Sequence, residues 1–319
     1  MCVSFKRSLN AINEFVESKK LDEKVLGIIV FGSFVKGTLR KTSDIDVLLL
    51  MKDGKYARRI ERYDGLKFEV YMAPAEILTS SPKNGRNLFF EMFRLQVLRT
   101  GRIFYDQEGL LSQLSAEASN QKIPYFYEKI MLNRTYKRLR HAEKYFWTGR
   151  LRQAKSELQA ASIEAARTLL LRMDEPEINI PKLIIPHLRR IDPNFYNIFR
   201  EIHGLNNLGK SDIELEFINS LNYLRKITNK YSVMKYFRDV INRARFELLN
   251  AKDCLEYGDY DSAILQLKLS MSILNSHLPI KPRYLSDTYS FSNQCLSESP
   301  TKIRRQLSIL KDVLADRKN

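Results

Sequence analysis

Apolar residues along the first twenty positions recur at helical spacing. Phe5, Leu9, Ile12, Phe15 and Val16 fall three or four apart or side by side, which predicts an amphipathic helix over residues 4–19. The pattern then shortens to runs bounded by turn residues. VLGIIVF (25–31), DIDVLLLM (44–51) and LKFEVYM (66–72) predict three strands, the last ended by Pro74. LFFEMFRLQVLRTG predicts a helix over 88–101 stopped by Gly101, followed by a short RIFYD and a helix over 109–117. The basic stretch KYARRIERYDG (55–65) reads as a hairpin loop beside the strands.

Beyond Pro124 the strand signals vanish and long helical patterns take over. An internal repeat runs through this half. AEKYFWTGRLRQAKSEL begins at Ala142 and AKDCLEYGDYDSAILQL at Ala251, and at that constant offset of 109 residues Gly149 meets Gly258, Ala154 meets Ala263 and Leu158 meets Leu267. Tyr145/Cys254, Phe146/Leu255 and Leu151/Tyr260 also match as apolar or aromatic positions. Each copy reads as helix, glycine turn, helix, with alanines where two helices approach closely. The expected fold class is α+β: a small mixed sheet with helices over residues 1–120, then an all-α half of helical hairpin bundles, in two modules at 121–230 and 231–319.

The length of 319 residues fits two or three domains, and 44% hydrophobic residues supply their cores. A net charge of +16 favours polyanionic partners, or a basic face that only keeps the protein in solution. Cys2, Cys254 and Cys295 are far apart and have no zinc-ligand spacing, so they read as reduced thiols. The N-terminus lacks the apolar core of a signal peptide, and no apolar run approaches the roughly 20 residues of a membrane helix. A soluble, cytoplasmic protein with no membrane partner is expected.

Candidate chemistry concentrates in GSFVKGTLRKTSDIDV (32–47). Side chains alternate along a strand, so Asp44 and Asp46 share one face while Ile45 and Val47 point into the core. Two neighbouring carboxylates repel, and a divalent cation resolves the conflict; Mg²⁺ takes oxygen ligands of this kind together with substrate phosphates. Glu69 repeats the arrangement on the third strand, sharing a face with Lys67 and Tyr71. Gly32 allows close backbone approach of a ligand, the Ser33 hydroxyl and neighbouring amides suit phosphate oxygens, and Lys36, Arg40 and Lys41 add positive charge.

An apolar strand, Gly32-Ser33, ten residues, then Asp44-Ile45-Asp46, with a carboxylate on a later strand, resembles the signature of the DNA polymerase β-like nucleotidyltransferase superfamily. TGRIFYDQEGLLSQL, from Thr100, resembles the segment that ends the catalytic domain of its small kanamycin-nucleotidyltransferase-like members. The resemblance spans about residues 20–116. It implies two Mg²⁺ ions held mainly by Asp44 and Asp46 with Glu69 as third ligand or base. It also implies nucleotide contacts at Gly32, Ser33, Lys36 and Ser43, and transfer of NMP from an NTP, expected to be ATP, to an acceptor hydroxyl. The acceptor stays open between an RNA 3′ end, a protein hydroxyl and a small molecule of the aminoglycoside type. The archaeal CCA-adding enzymes share the arrangement, but no match to their later domains is visible. A non-catalytic RNA-binding protein on the same fold is the competing class.

The helical repeats resemble HEPN-like modules, which accompany minimal nucleotidyltransferases in the same chain or as a partner chain, and such modules also offer surfaces for a homodimer. Ribonuclease members carry an arginine, four to six intervening residues, then a histidine. Arg134 and His141 have that spacing, but they fall at the start of the first hairpin rather than late in the module, so the helices read as scaffold or acceptor-binding parts. Residues 134–155 carry eight lysines and arginines against the single acidic Glu143. Arg134, Lys137, Arg138, Arg140 and Lys144 are the candidate nucleic-acid contacts. Tyr136, Tyr145, Phe146 and Trp147 read either as stacking platforms or as the buried side of an amphipathic helix.

Overall fold

The short apolar runs become strands of one five-stranded sheet. The computed structural model describes residues 2–39, 43–79, 87–179, 181–206, 208–231, 235–277 and 299–315. They divide into two compact units, 1–124 and 125–319. The first contains α1 (Cys2–Lys19), β1 (Val25–Phe31), β2 (Ile45–Met51), β3 (Ala57–Tyr63), β4 (Leu66–Pro74), α2 (Ala75–Thr79), α3 (Leu88–Thr100), β5 (Arg102–Asp106) and α4 (Leu110–Asn120). The strand order is β3-β4-β2-β1-β5. β2 and β4 run parallel and the other neighbours antiparallel, so the sheet is mixed.

Alternation assigns the two faces of the sheet. Ile28, Val30, Val47, Leu49, Phe68 and Val70 form one core with Ala11, Ile12, Phe15 and Val16 of α1. Residues of the other parity, among them Ile29, Leu48 and Leu50, are buried on the opposite face, where α3 and α4 pack against β1. Each of these aliphatic side chains contributes about 1.5–3 kcal/mol by leaving water.

Two elements differ from the pattern reading. Residues 55–65 are no loop: they supply β3 and a two-residue turn at Asp64-Gly65, both with positive φ (47° and 71°), as a tight hairpin requires. β3 is an edge strand whose residues stay exposed or half-buried, so it lacks the apolar alternation that marks a strand. Arg7 of α1 closes the turn, its Nε donating to Asp64 Oδ2 at 2.8 Å. RIFYD is β5, the opposite edge, antiparallel to β1.

The second unit is helical among the described residues: α5 (Tyr125–Trp147), α6 (Leu151–Arg172), α7 (Pro181–Ile191), α8 (Pro193–His203), α9 (Lys210–Tyr231), α10 (Lys235–Glu256), α11 (Tyr260–His277) and α12 (Pro300–Ala315). The sequence repeat is the pair of hairpins α5/α6 and α10/α11, and it extends to single hydrogen bonds. Gly149 N–H donates to Phe146 O at 3.0 Å and Arg150 N–H to Tyr145 O at 2.8 Å; 109 residues on, Gly258 donates to Leu255 O at 3.0 Å and Asp259 to Cys254 O at 2.9 Å. Both glycines are left-handed (φ 71° and 73°), so both hairpins turn through the same Schellman cap. Ala142, Ala154, Ala251 and Ala263 are fully buried between the paired helices.

The expected boundary at 230/231 falls at the last residue of α9, ahead of α10, and α12 returns to pack on α5, α6 and α8 of the first hairpin's neighbourhood. Among the described residues no helix is long and apolar enough to cross a membrane. Cys254 is a buried thiol; Cys295 lies outside the described residues.

Candidate functional site

The motif residues meet at one end of the sheet, on the face that α3 covers. Phe31, the last residue of β1, pairs with Asp46 of β2, and Asp46 pairs with Glu69 of β4 in parallel register. Neighbouring strands lie about 4.8 Å apart, so the Asp46 and Glu69 side chains leave adjacent strands on the same face. Asp44 stands two residues before Asp46, just ahead of β2. Gly32 follows Phe31 at φ 72°, and a Cβ there would fall 2.2 Å from Asp46 Oδ2. Both its backbone conformation and its close approach to the carboxylate therefore demand glycine. Residues 32–37 form a tight turn in which Lys36 N–H donates to Gly32 O at 3.2 Å and Thr38 N–H to Ser33 O at 3.0 Å. Lys36 is exposed on this turn, and Ser33 and Ser43 are half-buried on either side of the segment. Arg40 and Lys41 lie outside the described residues.

Cationic and hydroxyl partners hold the carboxylates. Lys67 Nζ donates to Asp44 Oδ2 at 2.7 Å. Glu69 is only 4% exposed; Arg58 of β3 makes an ion pair with it, and Tyr71 OH donates to its Oε1 at 2.7 Å. A carboxylate this deep is stable only when paired. Burial raises the Tyr71 hydroxyl above the ordinary tyrosine range, and the charge of Glu69 adds to it, so Tyr71 stays a proton donor at neutral pH. The Arg58 guanidinium stands 5.6 Å from the Tyr71 ring centroid. Aromatic rings wall this end of the face: Phe31, Tyr71 and Phe93 have mutual centroid distances of 4.9–5.7 Å, and Tyr56 meets Phe90 edge-on at 5.5 Å.

The pattern reading reached Asp44, Asp46, Glu69, Gly32 and Ser33, and the fold brings these to one sheet end. It placed Lys67 and Tyr71 on the Glu69 face without naming them as partners, although the shared face was the signal that could have done so. It took the arginines of 55–65 as contacts for the triphosphate or an RNA end and missed Arg58 as the partner of Glu69, because β3 carries no strand pattern. It also missed the Tyr56, Phe90 and Phe93 rings, which only the packing of α3 on the sheet brings near the carboxylates.

Among the five basic candidates of α5, the structure separates two groups. Arg138 is tied to Glu157 of α6 at 3.0 Å, and Arg134 turns back toward Met131 Sδ at 3.9 Å. All five are exposed, but among the described residues Lys137, Arg140 and Lys144 have no such side-chain partner. Tyr136, Tyr145 and Phe146 are half-buried, whereas Trp147 is exposed.

Among the described residues, the group of three side chains whose ligand atoms all lie within 4.8 Å of one another is in the helical unit: Glu175, Glu177 and His187. His187 Nδ1 lies 3.2 Å from Glu175 and Nε2 lies 3.1 Å from Glu177. A metal takes one imidazole nitrogen, whereas here both face carboxylates. The ring therefore works as a clamp joining the segment after α6 to α7.

Residues 9–96 match the model of the family described as nucleotidyltransferase domain. That segment runs from α1 into α3 and holds Gly32, Ser33, Asp44, Asp46 and Glu69. Among solved structures, the chain is similar to a nucleotidyltransferase-like protein from Exiguobacterium sibiricum 255-15, at 14% identity and a TM-score of 0.43 over 97% of this chain and 91% of that one. No curated protein matches the chain in sequence.

Proposed function

We propose that the first unit is a Mg²⁺-dependent nucleotidyltransferase that moves NMP from an NTP, taken as ATP, to an acceptor hydroxyl with release of pyrophosphate. The observation that carries this reading is the row Gly32, Asp46 and Glu69, with Asp44 two residues ahead, inside the segment that matches the nucleotidyltransferase domain. Its donor set is all carboxylate oxygen, which fits a hard divalent cation, and the attraction of Lys67 and Arg58 to Asp44 and Glu69 marks the same need for positive charge. Asp44 and Asp46, with Glu69, would hold Mg²⁺, which neutralises phosphate charge during phosphoryl transfer.

The chain's own groups then have distinct tasks. The Gly32-Ser33 turn binds phosphate oxygens through its amides and hydroxyl, with Lys36 and Ser43 beside it. Glu69 takes the acceptor's proton if it is not engaged as a ligand, and Tyr71 and Arg58 hold its carboxylate in place. The rings of Tyr56 and Phe90 suit the planar base. The +16 charge supports an RNA end as the acceptor, with the HEPN-like hairpins as the modules that receive it.

One observation favours a second reading. Lys67 and Arg58 already neutralise Asp44 and Glu69 within the chain, as a nucleotide-binding domain without transfer activity would allow.

The test is incubation of the purified protein with each α-³²P-labelled NTP, Mg²⁺ and total RNA, beside Asp44→Asn and Asp46→Asn. Label on RNA that disappears in both variants, with their melting temperatures retained, is the expected result. Undiminished labelling by either variant overturns the proposal. NTP or RNA binding that does not depend on Mg²⁺, without any label, supports the second reading.

A further inference from the structure

α5 has a face that its own hairpin does not use. Lys137, Arg140, His141 and Lys144 fall at i, i+3, i+4 and i+7, on one side of the helix, and all are exposed. Among the described residues Lys137, Arg140 and Lys144 have no carboxylate partner. Three residues past Lys144 comes Trp147, 71% exposed, and the guanidinium of Arg304 on α12 stands 5.9 Å from its ring centroid. The edge of the same ring meets Phe146 at 5.3 Å. Two elements far apart in sequence thus converge on one solvent-facing indole, just past the end of a cationic stripe about 10 Å long at 1.5 Å per residue.

We infer that this face binds single-stranded nucleic acid, with Lys137, Arg140 and Lys144 on successive phosphates and Trp147, backed by Arg304, stacking on a base. Three observations select this partner. An exposed base is what an exposed indole among cations can stack on, whereas a duplex hides its base faces. A membrane-surface helix needs an apolar side to sink into lipid, and that of α5, with Met131, Leu139 and Ala142, is buried in the hairpin. The hairpin fold does not demand the cations either: the equivalent positions on α10 are Phe246, Leu249, Asn250 and Asp253. The inference deepens the RNA-acceptor reading and rests on it for what becomes of the bound strand, but not for the binding.

Trp147 is the single tryptophan of the chain, so tryptophan emission, excited selectively beyond the tyrosine absorption, reports this site alone. The full chain is titrated with a 20-nucleotide single-stranded oligouridylate, with a duplex of the same length, and with phosphatidylserine/phosphatidylcholine vesicles. Saturable quenching by the single strand is expected. Its affinity should fall with salt at a log–log slope of about −2, from three phosphate contacts at about −0.7 each. Lys144→Ala should reduce that slope by about 0.7 without moving the melting temperature. Trp147→Leu should weaken binding of a fluorescein-labelled strand about tenfold by anisotropy. Asp46→Asn should bind like the parent protein, so loss of transfer and loss of binding are separate results. Three results overturn the inference: absence of binding at low salt, binding that leaves Trp147 emission and the Lys144→Ala slope unchanged, or an emission shift with vesicles and none with the oligonucleotide, which assigns the face to anionic lipid.

Discussion

The two helical hairpins share a turn to the hydrogen bond and share almost nothing on their outer faces. Where α5 exposes Lys137, Arg140, Lys144 and Trp147, α10 carries Phe246, Leu249, Asp253 and Glu256. The inner positions diverge in a more instructive way. Gln159 of α6 and Lys268 of α11 are equivalents, and both donate to carbonyls at the C-terminus of α8, Gln159 to Ile202 O at 3.3 Å and Lys268 to His203 O at 2.8 Å. The end of a helix leaves carbonyls without intrahelical partners, and the two hairpins satisfy them by the same position with different chemistry. Lys155 and Ile264 are also equivalents and both are buried, but Lys155 reaches Gln306 of α12 at 2.8 Å, whereas Ile264 lies in the apolar core around α10 and α11. The backbone of a hairpin is thus specified by a few small residues and a glycine, and each copy's remaining positions follow whatever packs against it.

Exchanging residues between the copies tests that view, and the largest effect is expected at the buried pair. Ile264→Lys introduces a charge with no counterpart of Gln306 and should lower stability by about 4 kcal/mol in urea denaturation. Lys155→Ile should lower it by distinctly less, because it gives up the hydrogen bond to Gln306 but buries no unpaired charge. Equal losses would mean that the two environments are alike. Leu158→Ala and Leu267→Ala remove matched, fully buried side chains, and each should reduce stability by about 3 kcal/mol; a difference of more than about twofold between them breaks the equivalence of the two cores.

The surroundings of Lys268 contain a titrating group that neutral Gln159 does not meet. Glu216 of α9 is buried, and burial pushes its carboxyl up to about 7, against the pull of Lys268. The folded chain therefore keeps a proton that the unfolded chain releases near pH 4.5. The stability contributed by this proton is full below about pH 4.5 and is lost as pH rises to about 7, by about 3 kcal/mol. Denaturation midpoints across that window should show the fall, and Glu216→Gln should flatten it; an unchanged slope in the variant would assign the titration elsewhere. The smallest effect is expected at the turns. A side chain at Gly149 or Gly258 meets no atom within 4 Å, so alanine there brings only left-handed strain, about 1 kcal/mol and equal in the two copies. Melting temperatures of the two variants should agree within a degree or two.

Particular residues show how much of this was legible along the chain. β1, β2 and β4 were visible because buried strands must be apolar, and the turn residues on either side set their ends. β3 was not, since an edge strand with solvent on its residues keeps no pattern, and with it went Arg58, the partner of Glu69. The Gly149/Gly258 repeat was visible because a left-handed cap restricts residue type wherever it occurs. Which basic residues of α5 keep no ion pair was not: Arg138 and Lys137 are neighbours of like charge, and only the position of Glu157 on α6 separates them.

The sequence by itself determined the strand–turn–strand placement of Gly32, Asp44 and Asp46 and the doubled hairpin, because both rest on local rules: alternation along a strand, and the backbone freedom of glycine. Tertiary structure alone decided that Glu69 stands beside Asp46, that Lys67 and Arg58 hold the carboxylates, and that Arg304 comes to Trp147 from 157 residues away. Those contacts join segments whose separation along the chain carries no periodic signal, and they exist only because burial of apolar faces brings the segments together.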